Sequence, residues 1–316
     1  MRKLCWGALA MAVLAAIPTR AIITNGSPDS SDSDWDGVGL LEPNNTQVYS
    51  PASGVLIDSL HVLTAAHAVY DSQTGSAISP SIMTFELGSS SYDVSSIAID
   101  PSFTGTDQYD IAVLTLSKPA TGHTTYAYNT PSLIPTETGN QSTIVGYGFG
   151  GTGSGGQDQT DYPIGTQRAG VNEIDQDTDS NRMVPNVVSG GTEQLAPGLL
   201  VFDFDQVGAG NGPLGGPALG TGEADTTDGD SGGPMFEYDS ALGKYVIVGI
   251  TTDGEDDNPE YGDISWGTRV SDYDSFIESI VPEPVGLVPV MFGLIVGLKR
   301  RWKKLTTDDT DKSKSK

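Results

Sequence analysis

Ser231, His67 and Asp110 are the side chains of this chain whose types suit a nucleophile, its base and an orienting acid. Ser231 lies in Gly229-Asp230-Ser231-Gly232-Gly233-Pro234, where flanking glycines let the backbone approach a substrate and let NH groups converge without Cβ interference. A serine hydroxyl is a poor nucleophile at neutral pH, so it needs a base, and the base needs a carboxylate to orient it. The histidines are His61, His67 and His123. His67 follows Leu63-Thr64-Ala65-Ala66, a strand end and small residues that would let the ring project from a tight corner. Asp110 opens Asp110-Ile111-Ala112-Val113-Leu114 and would place a carboxylate at the edge of a buried strand. A zinc hydrolase needs two or three ligands at structured spacing, and neither His-Glu-x-x-His nor a Cys/His cluster is present. The chemistry expected is nucleophilic acyl transfer with no metal and no required cofactor.

Chain order discriminates among serine hydrolases. Gly229-x-Ser231-x-Gly233 also satisfies the nucleophile elbow of α/β-hydrolases, but those place the histidine after the serine. Here the last histidine is His123. A subtilisin-like Asp, His, Ser order could borrow Asp34 or Asp36, yet there the serine opens a helix, whereas Gly233-Pro234 leads into the strand-like Met235-Phe236.

The order His67, Asp110, Ser231 is that of the chymotrypsin group. Thr64-Ala65-Ala66-His67, Asp110-Ile111-Ala112-Val113 and Gly229-Asp230-Ser231-Gly232-Gly233-Pro234 resemble the three signature motifs of trypsin-like serine proteases. Gly54-Val55-Leu56-Ile57 resembles the strand before the catalytic His, Gly146-Tyr147-Gly148 the Gly-Trp-Gly turn, and Tyr273–Ile280 the terminal helix. The resemblance implies an all-β fold of two six-stranded antiparallel barrels with the active site between them. It also implies the triad roles of His67, Asp110 and Ser231 and an oxyanion hole from the NH groups of Gly229 and Ser231. Ile23-Thr24-Asn25-Gly26 resembles the start of active relatives, whose new ammonium group inserts beside the Asp preceding the nucleophile, here Asp230. Thr252 would replace the serine that supports the catalytic Asp, and Ser265-Trp266-Gly267 would fall one strand later, on the far wall of the specificity pocket. Asp225, six residues before Ser231, stands where relatives that cleave after Arg or Lys carry the pocket-floor Asp, and Gly254 would keep that pocket open.

These residues must be held by short strands. Gly54–Ile57, Ile111–Leu114, Ser142–Val145 and Tyr245–Ile250 are apolar, β-branched runs separated by Gly, Asp and Ser clusters, the pattern of antiparallel strands. Before the C-terminal tail only Tyr273–Ile280 has one apolar helical face. Gly148–Gly156, with six glycines, and Glu173–Asp179, with four acidic residues, read as exposed loops. A structural Ca2+ in the second is an alternative to a plainly solvated loop.

The ends read as sorting segments. Residues 1–21 carry Arg2 and Lys3, an apolar run and Thr19-Arg20-Ala21, the order of a secretory signal peptide. The domain proper is expected over 22–281. Over 282–304, Pro282-Glu283-Pro284, the apolar Val285–Leu298 and the basic cluster from Lys299 resemble a PEP-CTERM sorting signal, with a cytoplasmic tail at 305–316. The implied partners are protein or peptide substrates, signal peptidase and an exosortase-type enzyme, with a membrane met through the C-terminal segment, and the implied location is the cell envelope or outside. The formal net charge of −25 excludes nucleic-acid binding through a basic surface. Cys5 is the sole cysteine, so the exported body can hold no disulfide. A secreted or envelope-associated serine endopeptidase is the reading these features favour. The competing ones are a catalytically silent homologue that binds at the surface and an acidic, cation-binding structural protein.

Overall fold

The computed structural model describes residues 22–24, 35–44, 49–210 and 212–281. The proposed signal peptide (1–21), sorting segment (282–304) and tail (305–316) lie outside the described residues. Among the described residues no helix is long and apolar enough to cross a membrane.

The first half runs β1 (Ile22–Thr24), β2 (Val38–Pro43), β3 (Ala52–Leu56), β4 (His61–Thr64), the small hairpin β5 (Tyr70–Asp71) and β6 (Ser76–Ala77), β7 (Met83–Leu87), β8 (Ser90–Ile99) and β9 (Ala112–Leu116). Six of these close a barrel in the order β2-β3-β4-β9-β8-β7. Alternation in Met83–Leu87, where Met83, Phe85 and Leu87 are buried, sends every second side chain inward. They meet Leu41, Leu56, Val62 and Leu114 in one core, each such side chain contributing roughly 1.5–3 kcal/mol through burial.

The second half runs β10 (Ala127–Tyr128), β11 (Gln141–Gly146), β12 (Gly150–Thr152), β13 (Gly156–Gln157), β14 (Arg168–Glu173), β15 (Gln176–Asp177), β16 (Met183–Pro185), β17 (Thr192–Gln194), β18 (Leu199–Asp203), β19 (Ala224–Asp225), β20 (Pro234–Asp239), β21 (Lys244–Gly254) and β22 (Ile264–Arg269). Its main sheet has the path β14-β11-β20-β21-β22-β18-β15 and is not closed by a ladder as the first barrel is. The expectation of two hydrogen-bonded six-stranded barrels is corrected to this extent. The two edge strands are nonetheless joined by two residues, Ile174 and Asp175, so covalent continuity curls the sheet into a barrel-like layer where β15 is too short to pair further. Helix α1 (Asp274–Ile280) follows a 3-10 turn over Val270–Tyr273, one residue later than expected.

The two presumed loops also contain strands. Gly150–Thr152 pairs in parallel with Ile22–Thr24, and Gly151 opposes Gln157 across a hairpin. A Cβ on Gly151 would overlap the Gly156 carbonyl, so the glycine run permits this close stacking. Gln176–Asp177 pairs with Leu200–Val201, drawn in because the intervening Ile174 is fully buried.

Candidate active site

Asp110 sits immediately before β9 and is 1% exposed. Its Oδ1 accepts the His67 backbone NH at 2.8 Å, and its Oδ2 lies 2.6 Å from His67 Nδ1. With Nδ1 donating to Asp110, Nε2 is left as the acceptor nitrogen. His67 opens a 3-10 turn two buried residues, Ala65 and Ala66, after β4, which holds the ring near the barrel's end. Burial pulls the imidazole pKa down, but Asp110 through charge and hydrogen bond, with Asp253 and Asp107, outweighs it and holds the group above its ordinary value. Thr252 does not bond the Asp110 carboxylate. Its hydroxyl lies 3.1 Å from that of Thr268, which donates to the Asp110 carbonyl at 3.0 Å, so Thr252 supports Asp110 at one remove.

Ser231 and His67 line one cleft of about 630 Å3 with Tyr49, Tyr70, Phe149 and Gly229. Gly229 has φ +95°, a conformation that L side chains rarely adopt. Among the described residues the NH groups of Gly229 and Ser231 have no protein acceptor, which leaves both available to an oxyanion. The nucleophile loop is tied to the first barrel by Ser53, whose importance the sequence hides. Ser53 Oγ donates to the Gly229 carbonyl at 2.8 Å and accepts the Tyr147 NH at 2.9 Å, while its own NH donates to the Ser231 carbonyl at 2.8 Å.

Asp230 is fully buried. Gly148 NH donates to its Oδ1 at 2.8 Å, and the Thr227 NH and hydroxyl donate to its Oδ2 at 2.9 and 3.1 Å. A Cβ on Gly146 would overlap that carboxylate, which explains the glycine there. Burial pushes the pKa of Asp230 up to about 6, against these hydrogen bonds and the nearby positive charge of Arg168. Arg168, 1% exposed, donates to the carbonyls of Gly148 and Thr166 at 3.1 Å each. Nothing in its sequence context marked it as a buried cation. The N-terminal strand approaches this network through Ile22, one residue ahead of the motif match at Ile23. The Ile22 nitrogen donates to the Phe149 carbonyl at 3.1 Å, and the Thr227 hydroxyl, whose one proton is shared between two acceptors, lies 2.6 Å from that carbonyl and 3.1 Å from Asp230 Oδ2.

Next to Ser231 a small cavity of about 50 Å3 is lined by Thr226, Thr252 and Gly254 together with Asp228, Asp253, Asp256 and Asp257. Asp225 is not on its wall: it is 0% exposed. Thr226 Oγ1 donates to Ser265 Oγ at 3.3 Å, and a Cβ on Gly254 would lie 2.7 Å from the same Ser265 oxygen. Thr226, the residue after Asp225, lines the cavity and carries this contact to Ser265. Ser265 itself does not line the cavity but meets Thr226 and Gly254, which do, and Gly254 leaves room for its hydroxyl.

Among the described residues no group of three or more His, Cys, Asp or Glu side chains is arranged to hold a metal ion. In the acidic stretch, the Ser180 NH and hydroxyl donate to Asp177, and Asp179 pairs with Arg269 at 3.2 Å.

A closed β-barrel beside a barrel-like sheet, with one short helix, is consistent with the chymotrypsin fold, and the Asp-His pair facing a serine on one cleft is the arrangement of a serine hydrolase. Residues 34–194 match the trypsin family, and the chain belongs to it. It is a serine endopeptidase. The match spans His67 and Asp110 and ends before Ser231. No curated protein matches the chain.

Proposed function

We propose that the protein is an exported serine endopeptidase that cleaves after Arg or Lys through an acyl-enzyme. Ser231 Oγ attacks the scissile carbonyl, His67 Nε2 takes its proton and returns it to the leaving amine, and Asp110 holds the imidazole tautomer. The Gly229 and Ser231 NH groups receive the oxyanion, where each donor is worth roughly 3 kcal/mol. The observation that carries this reading is the Asp110-His67 pair at 2.6 Å on the same cleft as Ser231. The carboxylates of Asp228, Asp253, Asp256 and Asp257 around the small cavity support a cationic side chain at the cleaved position. Export rests on the signal-like residues 1–21 and the PEP-CTERM-like residues 282–304, which imply signal peptidase and an exosortase-type enzyme as processing partners.

Cleavage after Ala21 would make Ile22 the first residue. Ile22 has φ +64°, a region a β-branched residue enters only under strain. A first residue has no φ, so cleavage there removes the strain and leaves an ammonium group on the Phe149-Thr227-Asp230 network. Labelling by a fluorophosphonate tests both proposals on protein beginning at Ile22 and on protein with extra N-terminal residues. The expected result is adduct on Ser231 in the first sample, its loss in Ser231→Ala, and weak labelling in the second. No adduct in folded protein beginning at Ile22 would favour a silent binding homologue. Equal labelling of both samples would remove the role of the free N-terminus.

A further inference from the structure

Two buried carboxylates are not used by the mechanism above. Asp225 ends β19 and is 0% exposed, and Asp263 directly precedes β22 and is 4% exposed. Asp225 Oδ1 accepts the Thr226 NH at 2.8 Å and the Ser265 hydroxyl is near the same carboxylate, but no hydrogen bond of good geometry reaches its Oδ2 or either carboxylate oxygen of Asp263. Three orphaned acceptor oxygens are costly in an interior, since each keeps its desolvation penalty unless a cation or a proton meets it. The two carboxylates are close enough to repel each other. Burial, then the Asp225 charge, with Asp256 and Glu255, raises the Asp263 pKa, and burial with Asp203 and Asp230 raises that of Asp225.

The cavity beside Ser231 is lined by Thr226, the residue after Asp225, and the Thr226 hydroxyl donates to that of Ser265, two residues from Asp263, at 3.3 Å. An entering amidinium would have to turn these two small hydroxyl side chains aside, and their oxygens could then accept from it. The same cavity is lined by Asp228, Asp253, Asp256 and Asp257, so a cation is drawn to it.

We infer that Asp263 is a second specificity-determining residue, forming with Asp225 a two-carboxylate receptor for a guanidinium or ammonium side chain, and that the empty receptor holds a proton which the cation expels. This rests on the Arg/Lys reading above and adds to it a residue outside the family's motifs. The paired oxygens suit the fork of a guanidinium, which can bond two acceptors at once.

Benzamidine, a small aryl amidinium, is the probe. Titration of the intact protein into benzamidine near pH 7, in buffers of different ionisation enthalpy, should show about one proton released per molecule bound. Binding without proton release, or no binding, would overturn the inference, and neither readout depends on a variant folding. In parallel, kcat/KM is measured for matched peptide substrates ending in Arg or Ala. The Arg-to-Ala ratio of the natural enzyme should exceed one and fall at least tenfold in Asp263→Asn, with benzamidine affinity falling by a similar factor. An active enzyme whose ratio is unchanged by Asp263→Asn would overturn the role of Asp263. A natural enzyme that cleaves neither substrate and takes no label on Ser231 would instead overturn the endopeptidase mechanism proposed above.

Discussion

His67 is surrounded by more negative charge than its bonded partner supplies. Asp110 holds Nδ1 at 2.6 Å, while Asp253 and Asp107 add their fields and help to keep the imidazolium favoured. In the proposed mechanism the ring must be neutral to accept the Ser231 proton, so the acid limb of kcat/KM should titrate above the ordinary imidazole value of about 6.5. In Asp253→Asn one negative charge is lost and the limb should move to lower pH. A pH-rate profile on a neutral substrate checks this, and a limb that stays in place would show that Asp253 does not reach the base. The identities of His67 and Asp110 could be read from motif and order. Asp253 and Asp107 could not, because their effect comes from distance to the ring and neither spacing nor type announces it.

At the level of elements, the nucleophile loop depends on β3. Ser53 binds that loop through its hydroxyl, its NH and, by accepting from Tyr147, the Gly146-Tyr147-Gly148 turn as well. Ser53→Ala leaves the buried Gly229 carbonyl and Tyr147 NH without this partner. The expected cost is roughly 1–3 kcal/mol for a buried group left unsatisfied, read by urea unfolding of Ser231→Ala with and without the change. Because Gly229 is also one of the two proposed oxyanion donors, kcat should fall while KM changes little. Equal losses in both parameters would mean that Ser53 merely holds the fold. The strands themselves were legible from apolar β-branched runs, with ends shifted by a few residues. The strands of the Gly-rich and acidic stretches were not, since Gly150–Thr152 is a strand only because Ile22–Thr24 lies against it.

Over the whole molecule the acidity has a thermodynamic consequence. Between residues 22 and 298 the chain carries five basic and 38 acidic side chains. Several carboxyls are folded into poorly hydrated places. Burial pushes Asp175 up to about 8, Glu223 and Glu237 to about 7 and Asp203 to about 6. A carboxyl whose folded pKa lies above its unfolded one stabilises the fold below the unfolded value, near 4, and loses that contribution as pH rises through the folded value. The raised pKa of His67 acts in the same direction. Thermal stability should therefore be higher at pH 5 than at pH 9, with Tm falling by roughly 5 °C or more across that interval. A Tm that rises over the same range would show that these carboxyls are not protonated in the folded state. High salt should reduce the part due to surface repulsion and leave the buried part.

What the chain alone determined is what can be written in one dimension: the kinds of groups, their order His67, Asp110, Ser231, the absence of cysteine after Cys5, the excess of acid and the β-rich pattern. That is enough for the family and for the class of chemistry, because nucleophile, base and orienting acid are recognised by type and order. Only the tertiary structure decided which groups are covered and which meet. Asp225 has the expected position in sequence, yet it is fully buried, absent from the cavity wall and within reach of the Asp263 charge. Ile22 rather than Ile23 reaches the Phe149 carbonyl because strand register, not motif spacing, sets that contact. Ser53 and Gly229 lie 176 residues apart along the chain and 2.8 Å apart in space. Burial and proximity are properties of the packed molecule, and they govern how strongly each of these charges and hydrogen bonds acts.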